Sequence, residues 1–180
     1  ENIGLIEMEI PSNDAFHLKE VKKHNPHKGL FIRTIKCDNK GRVWLGGKGY
    51  LGYYENLKWT EIKLPSNTSN ISDIDQDQDG NYWISTYDKG VFKLNLITND
   101  YKNFNQKSGL ISSTIRSIFI DSKDRIWLSS KNGVSCIENK VIKNFNRNNG
   151  LLQNNINTIG EDLEQNIWFG TDGSGIYRFT

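Results

Sequence analysis

Apolar and polar positions change phase along this chain in a pattern that recurs. Four short apolar-rich runs, Ile32 to Cys37, Ile71 to Gln76, Ile115 to Ile120 and Ile156 to Glu161, each lead into an Asp. Six residues after each Asp stands a Trp, giving Asp38/Trp44, Asp77/Trp83, Asp121/Trp127 and Asp162/Trp168, with Trp-to-Trp gaps of 39, 44 and 41 residues. Runs of four to six β-branched and aromatic residues bounded by Asn, Gly, Asp and Ser are strand-like, and none is long enough for a helix.

Beyond each Trp come small residues (Gly46-Gly47, Ser85-Thr86, Ser129-Ser130, Gly170-Thr171), then a third apolar run (Tyr50 to Tyr54, Gly90 to Leu94, Gly133 to Ile137, Gly175 to Phe179). A fourth run closes the unit at Trp59 to Ile62, Tyr101 to Phe104 and Ile142 to Phe145. Leu18 to Val21 stands in the same phase, so that the last positions are spaced by 41, 42 and 41 residues. Four strands of about five residues with tight turns fill such a period and leave no room for a helix. The sequence therefore predicts an all-β fold, a β-propeller segment of four-stranded antiparallel blades with a repeat of about 41 residues. Small residues after Trp let neighbouring blades approach, and the Trp fills the space between sheets.

The turn after the first strand reads Asp-x-x-Gly in two copies, with Asp accepting backbone hydrogen bonds and Gly taking the positive-φ corner. Asp124 and Gln165 stand at that corner in the other two. Gln tolerates the left-handed region poorly, so the last turn is expected to adopt another geometry. Residues 1–9 match the closing third strand in register. The expected division is 1–24 as the end of one blade, 25–64, 65–105 and 106–146 as whole blades, and 147–180 as the start of a further one. The reading is an arc cut from a larger propeller, with a closed four-bladed ring as the alternative.

Composition agrees with this pattern. Of 180 residues one is Ala and one Met, against 21 Ile, 22 Asn, 16 Gly and 20 aromatics, the reverse of what helices use. A net charge of +2, with 23 basic and 21 acidic residues spread along the chain, gives no overall signature of a nucleic-acid binder. No apolar run reaches the length of a membrane span, so no membrane contact is expected of this segment.

The repeat Ile-x-x-Ile-x-x-Asp-x-x-Gly-x-[Ile/Val]-Trp-[Leu/Ile]-Gly-Thr, with the junctions Gly29-Leu30, Gly109-Leu110 and Gly150-Leu151, resembles the two-component regulator propeller repeat. It extends over essentially the whole chain. The resemblance implies the periplasmic sensor region of a bacterial hybrid two-component system. There, propellers precede a membrane span and a histidine kinase, and many members respond to oligosaccharides. It further implies a non-enzymatic role, an oligosaccharide or protein partner, contact with the rest of the same propeller, a homodimer in the parent and no cofactor. The rivals are a propeller that mediates assembly of a secreted or surface protein, and a propeller lyase.

Cys37 and Cys136 lie two blades apart, too far for a disulfide, and are expected to be buried small hydrophobes. His17, His24 and His27 lack a third ligand of matching kind, and no nucleophile–base constellation is visible, so no catalytic residue is assigned. Asp75-Gln-Asp77-Gln-Asp79-Gly80 has the alternate carboxylates of a calcium loop, but Thr86 stands where a bidentate Glu belongs, and Asp77 and Gly80 already serve the turn. No metal is assigned. Recognition is placed on the face where blade-to-blade and second-to-third-strand connections meet. Arg33, Arg116 and Asn157 are expected there at inner-strand starts, with Lys48, Tyr87, Asp88, Lys131, Asn132 and Asp172 in the loops.

Overall fold

In the computed structural model, residues 5–9, 19–24, 31–65 and 70–180 are described, with side chains from residue 31 onward. Residues 25–30, with His27 and the Gly29-Leu30 junction, and His17 lie outside them. The chain divides into two compact units, residues 1–31 and 32–180. In the first, β1 (Leu5–Glu9) pairs antiparallel with β2 (Lys19–His24), with a bulge between Glu7 and Met8.

The second unit is built of antiparallel sheets in which consecutive strands pair, as connections of a few residues require. The first contains β3 (Phe31–Cys37), β4 (Val43–Lys48), β5 (Tyr50–Glu55) and β6 (Lys58–Glu61). The next has β7 (Ile71–Gln76), β8 (Tyr82–Thr86), β9 (Val91–Leu94) and β10 (Tyr101–Phe104). In the third are β11 (Ser117–Ile120), β12 (Ile126–Ser130), β13 (Gly133–Glu138) and β14 (Val141–Phe145). A three-stranded sheet follows, with β15 (Ile156–Glu161), β16 (Ile167–Thr171) and β17 (Ile176–Phe179). The fold is all-β and propeller-like. Among the described residues the one helical piece is a 3₁₀ turn at Gln106–Ser108.

Each first-to-second-strand turn is organised by its Asp. One carboxylate oxygen accepts the backbone N–H four residues on, at Arg42, Asn81, Arg125 and Asn166. The other accepts the indole N–H of the Trp: Trp44 to Asp38 at 2.9 Å, Trp83 to Asp77 at 2.9 Å, Trp127 to Asp121 at 2.8 Å and Trp168 to Asp162 at 2.7 Å. The residue at the fourth position adds a side-chain donor, a guanidinium Nε in Arg42 and Arg125 and an amide in Asn81 and Asn166. The expectation of a different last turn is overturned. Gln165 has φ 65° beside 77° at Gly41, 81° at Gly80 and 59° at Asp124, and its N–H bonds Asp162 O as Gly41 bonds Asp38 O. The Asp–Trp–Asn network imposes the corner on a side chain that disfavours it by about 1–2 kcal/mol.

The Trp residues then serve as mortar between sheets. Trp44 packs with Ile71, Ile74, Tyr82, Ile84 and Phe92 of the following sheet, Trp83 with Ile115, Ile118 and Leu128, and Trp127 with Ile156, Ile159 and Phe169. Gly46 shows how close the approach is, since a Cβ there would stand 2.5 Å from Ile71 Cγ2. The inner strands are also stitched by carboxylates of β7. Asp73 accepts from Thr34 Oγ1 at 3.0 Å and from Ile118 N–H at 3.1 Å, while Asp75 pairs with Lys36 Nζ at 2.8 Å and accepts from Ile120 N–H at 3.0 Å. Turn is linked to turn by a side chain of the following sheet: Asn39 N–H donates to Gln76, Gln78 N–H to Asp124 and Ser122 N–H to Glu161.

Two expectations change. The third inner strand starts at Ser117 rather than Ile115, because the Ile115 N–H is taken by Thr86 O of the preceding sheet. Cys136 is buried, with its thiol pushed up to about 12 by burial, but Cys37 is exposed. It ends β3, whose Ile35 is 55% exposed where the equivalent Ile74 is 1% exposed.

Burial alone would raise the carboxyls of Asp38, Asp77 and Asp121, but hydrogen bonds outweigh it and hold all three below the usual range, led by the Tyr82 hydroxyl and then Trp44 at Asp38, by Trp83 at Asp77 and by Trp127 at Asp121. Asp162, bonded by Asn166 and Trp168, is lowered to about 2. Carboxyls depressed in the folded state contribute stability that is complete above the unfolded pKa of about 4 and is lost as the pH falls through the folded values. Tryptophan fluorescence should therefore report acid unfolding between about pH 4 and 2, and a transition confined above pH 5 would contradict this origin. In urea unfolding, Asp121→Ala should cost about 3–5 kcal/mol, because it leaves Arg125 and the buried Trp127 N–H without their partner. Asp162→Ala should cost less, since the Trp168 it holds is only half-buried.

Candidate functional site

The antiparallel order puts the second-to-third-strand loops, the sheet-to-sheet connections and the starts of the inner strands at one end of the sheets. Contacts between sheets confirm the shared end. Gly90 N–H donates to Ser113 O and Ile115 N–H to Thr86 O, joining the second sheet's loop to the third sheet's entry. Lys48 forms an isolated bridge with Asn70.

The loops here are held by side chains of which only the small size is legible in the sequence. The hydroxyl three residues after Trp closes the loop in three sheets. Thr86 Oγ1 donates to Gly90 O (2.9 Å) and accepts from Lys89 N–H (2.9 Å). Ser130 and Thr171 do the same for Gly133 and Asn132, and for Gly175 and Ser174. At Gly90 a side chain is excluded twice, by φ 81° and by Phe104 O, which a Cβ would meet at 2.0 Å. The connections are equally fixed. Asn105 Oδ1 accepts from Lys107 N–H and Asn146 Oδ1 from Asn148 N–H, so Lys107 and Arg147 are exposed on ordered turns.

Of the nine expected recognition residues, two pairs are brought together. The Arg33 guanidinium lies over the Tyr87 ring at 5.0 Å, and Arg116 Nη1 donates to Asn157 Oδ1. Asp172 accepts from Asn155 Nδ2 at 2.9 Å, within its own sheet. Lys48, Lys131 and Asn132 are exposed at the loop tips. Asp88 borders a cleft of about 550 Å³ with Lys89, Tyr101, Asn103, Gln106 and Lys107, on the outer side of the second sheet. Missing from the sequence reading were Lys89, Lys107 and the half-exposed ring of Tyr101, and also Asn70 and Asn155. These two Asn precede Ile71 and Ile156 in equivalent positions, and their buried side-chain oxygens have no hydrogen-bond donor among the described residues. Their shared phase in the repeat was the signal that could have found them.

The three carboxylates weighed for calcium diverge. Asp77 is turned to Trp83 and Lys93, Asp75 reaches Lys36 and the third sheet, and Asp79 is exposed at the turn. Among the described residues no three of His, Cys, Asp and Glu gather as a metal would require.

Comparison with known proteins places this arrangement. Residues 64–88 and 109–132 match the model of the two component regulator propeller family, so the second and third repeats carry that family's motif. No curated protein matches the chain in sequence. Among solved structures, an extracellular domain assigned to a hybrid two component system of B. thetaiotaomicron superposes with a TM-score of 0.76 at 23% identity. That match covers 97% of this chain and 27% of that one, so the chain spans about a quarter of its length. Virginiamycin B lyase from Staphylococcus aureus gives 0.70 at 15% identity, covering 97% of this chain and 62% of the lyase. PorZ, a surface component of the type-IX secretion system of Porphyromonas gingivalis, gives 0.67 at 16% identity, covering 96% and 29%. At these identities the likeness is one of fold.

Replacing Thr86 by Val should cost about 1–2 kcal/mol, because the Lys89 N–H and Gly90 carbonyl lose their buried partner. Amide exchange at Lys89 should rise more than exchange in β8 itself. Equal protection in variant and parent would show that the hydroxyl does not hold the loop.

Proposed function

We infer that this chain is part of a non-enzymatic sensor propeller of a bacterial two-component system, exposed outside the cytoplasm, whose loop face recognises an oligosaccharide. The observation that carries the reading is the conjunction of the family's motif with a face of ordered polar loops around aromatic rings. Rigid loops on a sheet scaffold hold recognition groups with little ordering entropy left to lose on binding. Tyr87 on the loop face and Tyr101 in the cleft on the outer side of the second sheet offer apolar ring surface, while Asn, Asp, Lys and Arg side chains offer donors and acceptors suited to hydroxyl groups. Signalling would follow from differential affinity for two arrangements of the parent protein, passed on to a histidine kinase, with a homodimer as the element that rearranges.

All three histidines precede residue 28, so the loop face of the described residues from 31 onward carries no histidine for the proton transfer a lyase needs. The site is accordingly assigned to Arg33, Lys48, Tyr87, Asp88, Arg116, Lys131, Asn132, Asn157 and Asp172.

A thermal-shift and calorimetric screen of the chain against an oligosaccharide panel tests the assignment. At least one sugar should raise Tm, and Tyr87→Ala should abolish that shift while leaving the unliganded Tm within about a degree or two, since surface substitutions usually change stability by under about 0.5 kcal/mol. Silence across the whole panel would overturn carbohydrate recognition by this region.

A further inference from the structure

We propose that the ligand of the loop face is an anionic oligosaccharide, one bearing carboxylate or sulfate groups. The proposal rests on the carbohydrate reading above and adds the sign of the charge. Four of the nine recognition residues are basic (Arg33, Lys48, Arg116 and Lys131), and the same loops and strand ends also carry Lys63, Lys89, Lys107 and Arg147. Against these eight stand three carboxylates, Glu61, Asp88 and Asp172. A chain whose net charge is only +2 thus concentrates a basic excess at one end of its sheets.

At the other end the buried carboxylates are paired. Ion pairs join Arg42 to Asp38, Lys93 to Asp77, Arg125 to Asp121 and Lys143 to Glu138 at 2.6–2.9 Å. Lys48, Lys89, Lys107 and Lys131 enter none of the ion pairs among the described residues, and all four are exposed. Like charges gathered on fixed loops repel one another within a Debye length of about 8 Å, and an anion relieves that repulsion as it binds.

Orientation points the same way. Arg33 is held against Tyr87 and Arg116 by Asn157, so their planar donor forks are positioned before a ligand arrives. Such forks match carboxylate and sulfate oxygens, and charge-assisted hydrogen bonds of this kind are about twice as strong as neutral ones. Lys89 and Lys107 flank the cleft that holds Tyr101 and Asn103, placing charge beside a ring and an amide. A sugar ring carrying an acid group can use all three at once, which a bare anion cannot.

The test is calorimetric titration of the chain at 20 and 300 mM salt with four probes of matched length: tetragalacturonate, sulfated galactotetraose, neutral galactotetraose and a short oligothymidylate. At least one anionic sugar should bind tenfold or more tighter than neutral galactotetraose, and its affinity should fall several-fold at the higher salt. Lys131→Glu and Lys48→Glu should each weaken that binding by a factor of about three to ten with Tm unchanged. Equal binding of the neutral sugar would overturn the charge assignment and leave the carbohydrate reading standing. Binding of no sugar would overturn both. Oligothymidylate binding as tightly as the best anionic sugar would overturn the saccharide in favour of a general polyanion surface.

Discussion

The fold depends on one hydrogen bond made four times, from an indole N–H to the carboxylate six residues before it. A propeller needs a large flat side chain between adjacent sheets, and Trp supplies it together with a polar atom that would cost about 1–3 kcal/mol if buried without a partner. The Asp at the turn removes that penalty and in the same act orders the turn, because its second oxygen takes the backbone N–H that sets the corner. Strand register, turn geometry and sheet-to-sheet packing are thus fixed by a single pair of side chains. The strength of this constraint is visible at Gln165, which holds a left-handed backbone that its own side chain does not favour.

A second layer of polar contacts acts between sheets. Asp73 and Asp75 of β7 extend sideways to the backbone N–H groups of β11 and to Thr34 and Lys36 of β3, so one inner strand ties its two neighbours. For Asp73 burial dominates and pushes the carboxyl up, despite the N–H groups of Ile118 and Ile74 and the Thr34 hydroxyl. The turn carboxylates, less deeply buried than Asp73, go the other way, because a Trp and a cation or amide converge on each. Burial and the number of donors together decide the sign, and the strands set both.

What could be read from the sequence follows the same division. The Asp–Trp pairs, the small residues after Trp and the Gly-Leu junctions recur at fixed spacing, so strand order and blade period were legible. Contacts made once were not. The alternate spacing of Asp75, Asp77 and Asp79 suggests a calcium loop only along the chain, because the backbone partner of Asp75 lies 45 residues away on another sheet. Cys37 is expected to be buried because a free cysteine behaves as a small hydrophobe, whereas β3 is exposed along most of its length. Thr86, Ser130 and Thr171 were recognised as small, but their hydroxyl chemistry depends on a loop that returns to them only in three dimensions. The basic excess of the loop face is invisible to a count along the chain, since acidic and basic residues alternate in sequence and separate only when the strands fold back.

That separation has a physical source in the turn itself. Every Trp in a seam requires a carboxylate at the turn end of the sheets, and each buried carboxylate requires donors, so Arg42, Arg125 and Lys93 are drawn there to satisfy it. Charge at the turn end is consumed by structure. The loop end has no equivalent demand, because its turns are closed by hydroxyls, amides and glycines that carry no charge. Lys48, Lys89, Lys107 and Lys131 enter none of the ion pairs among the described residues, so holding the fold places no requirement on their charge. A scaffold whose buried charges are paired at one end can accept surface substitution at the other without disturbing the Asp–Trp frame beneath.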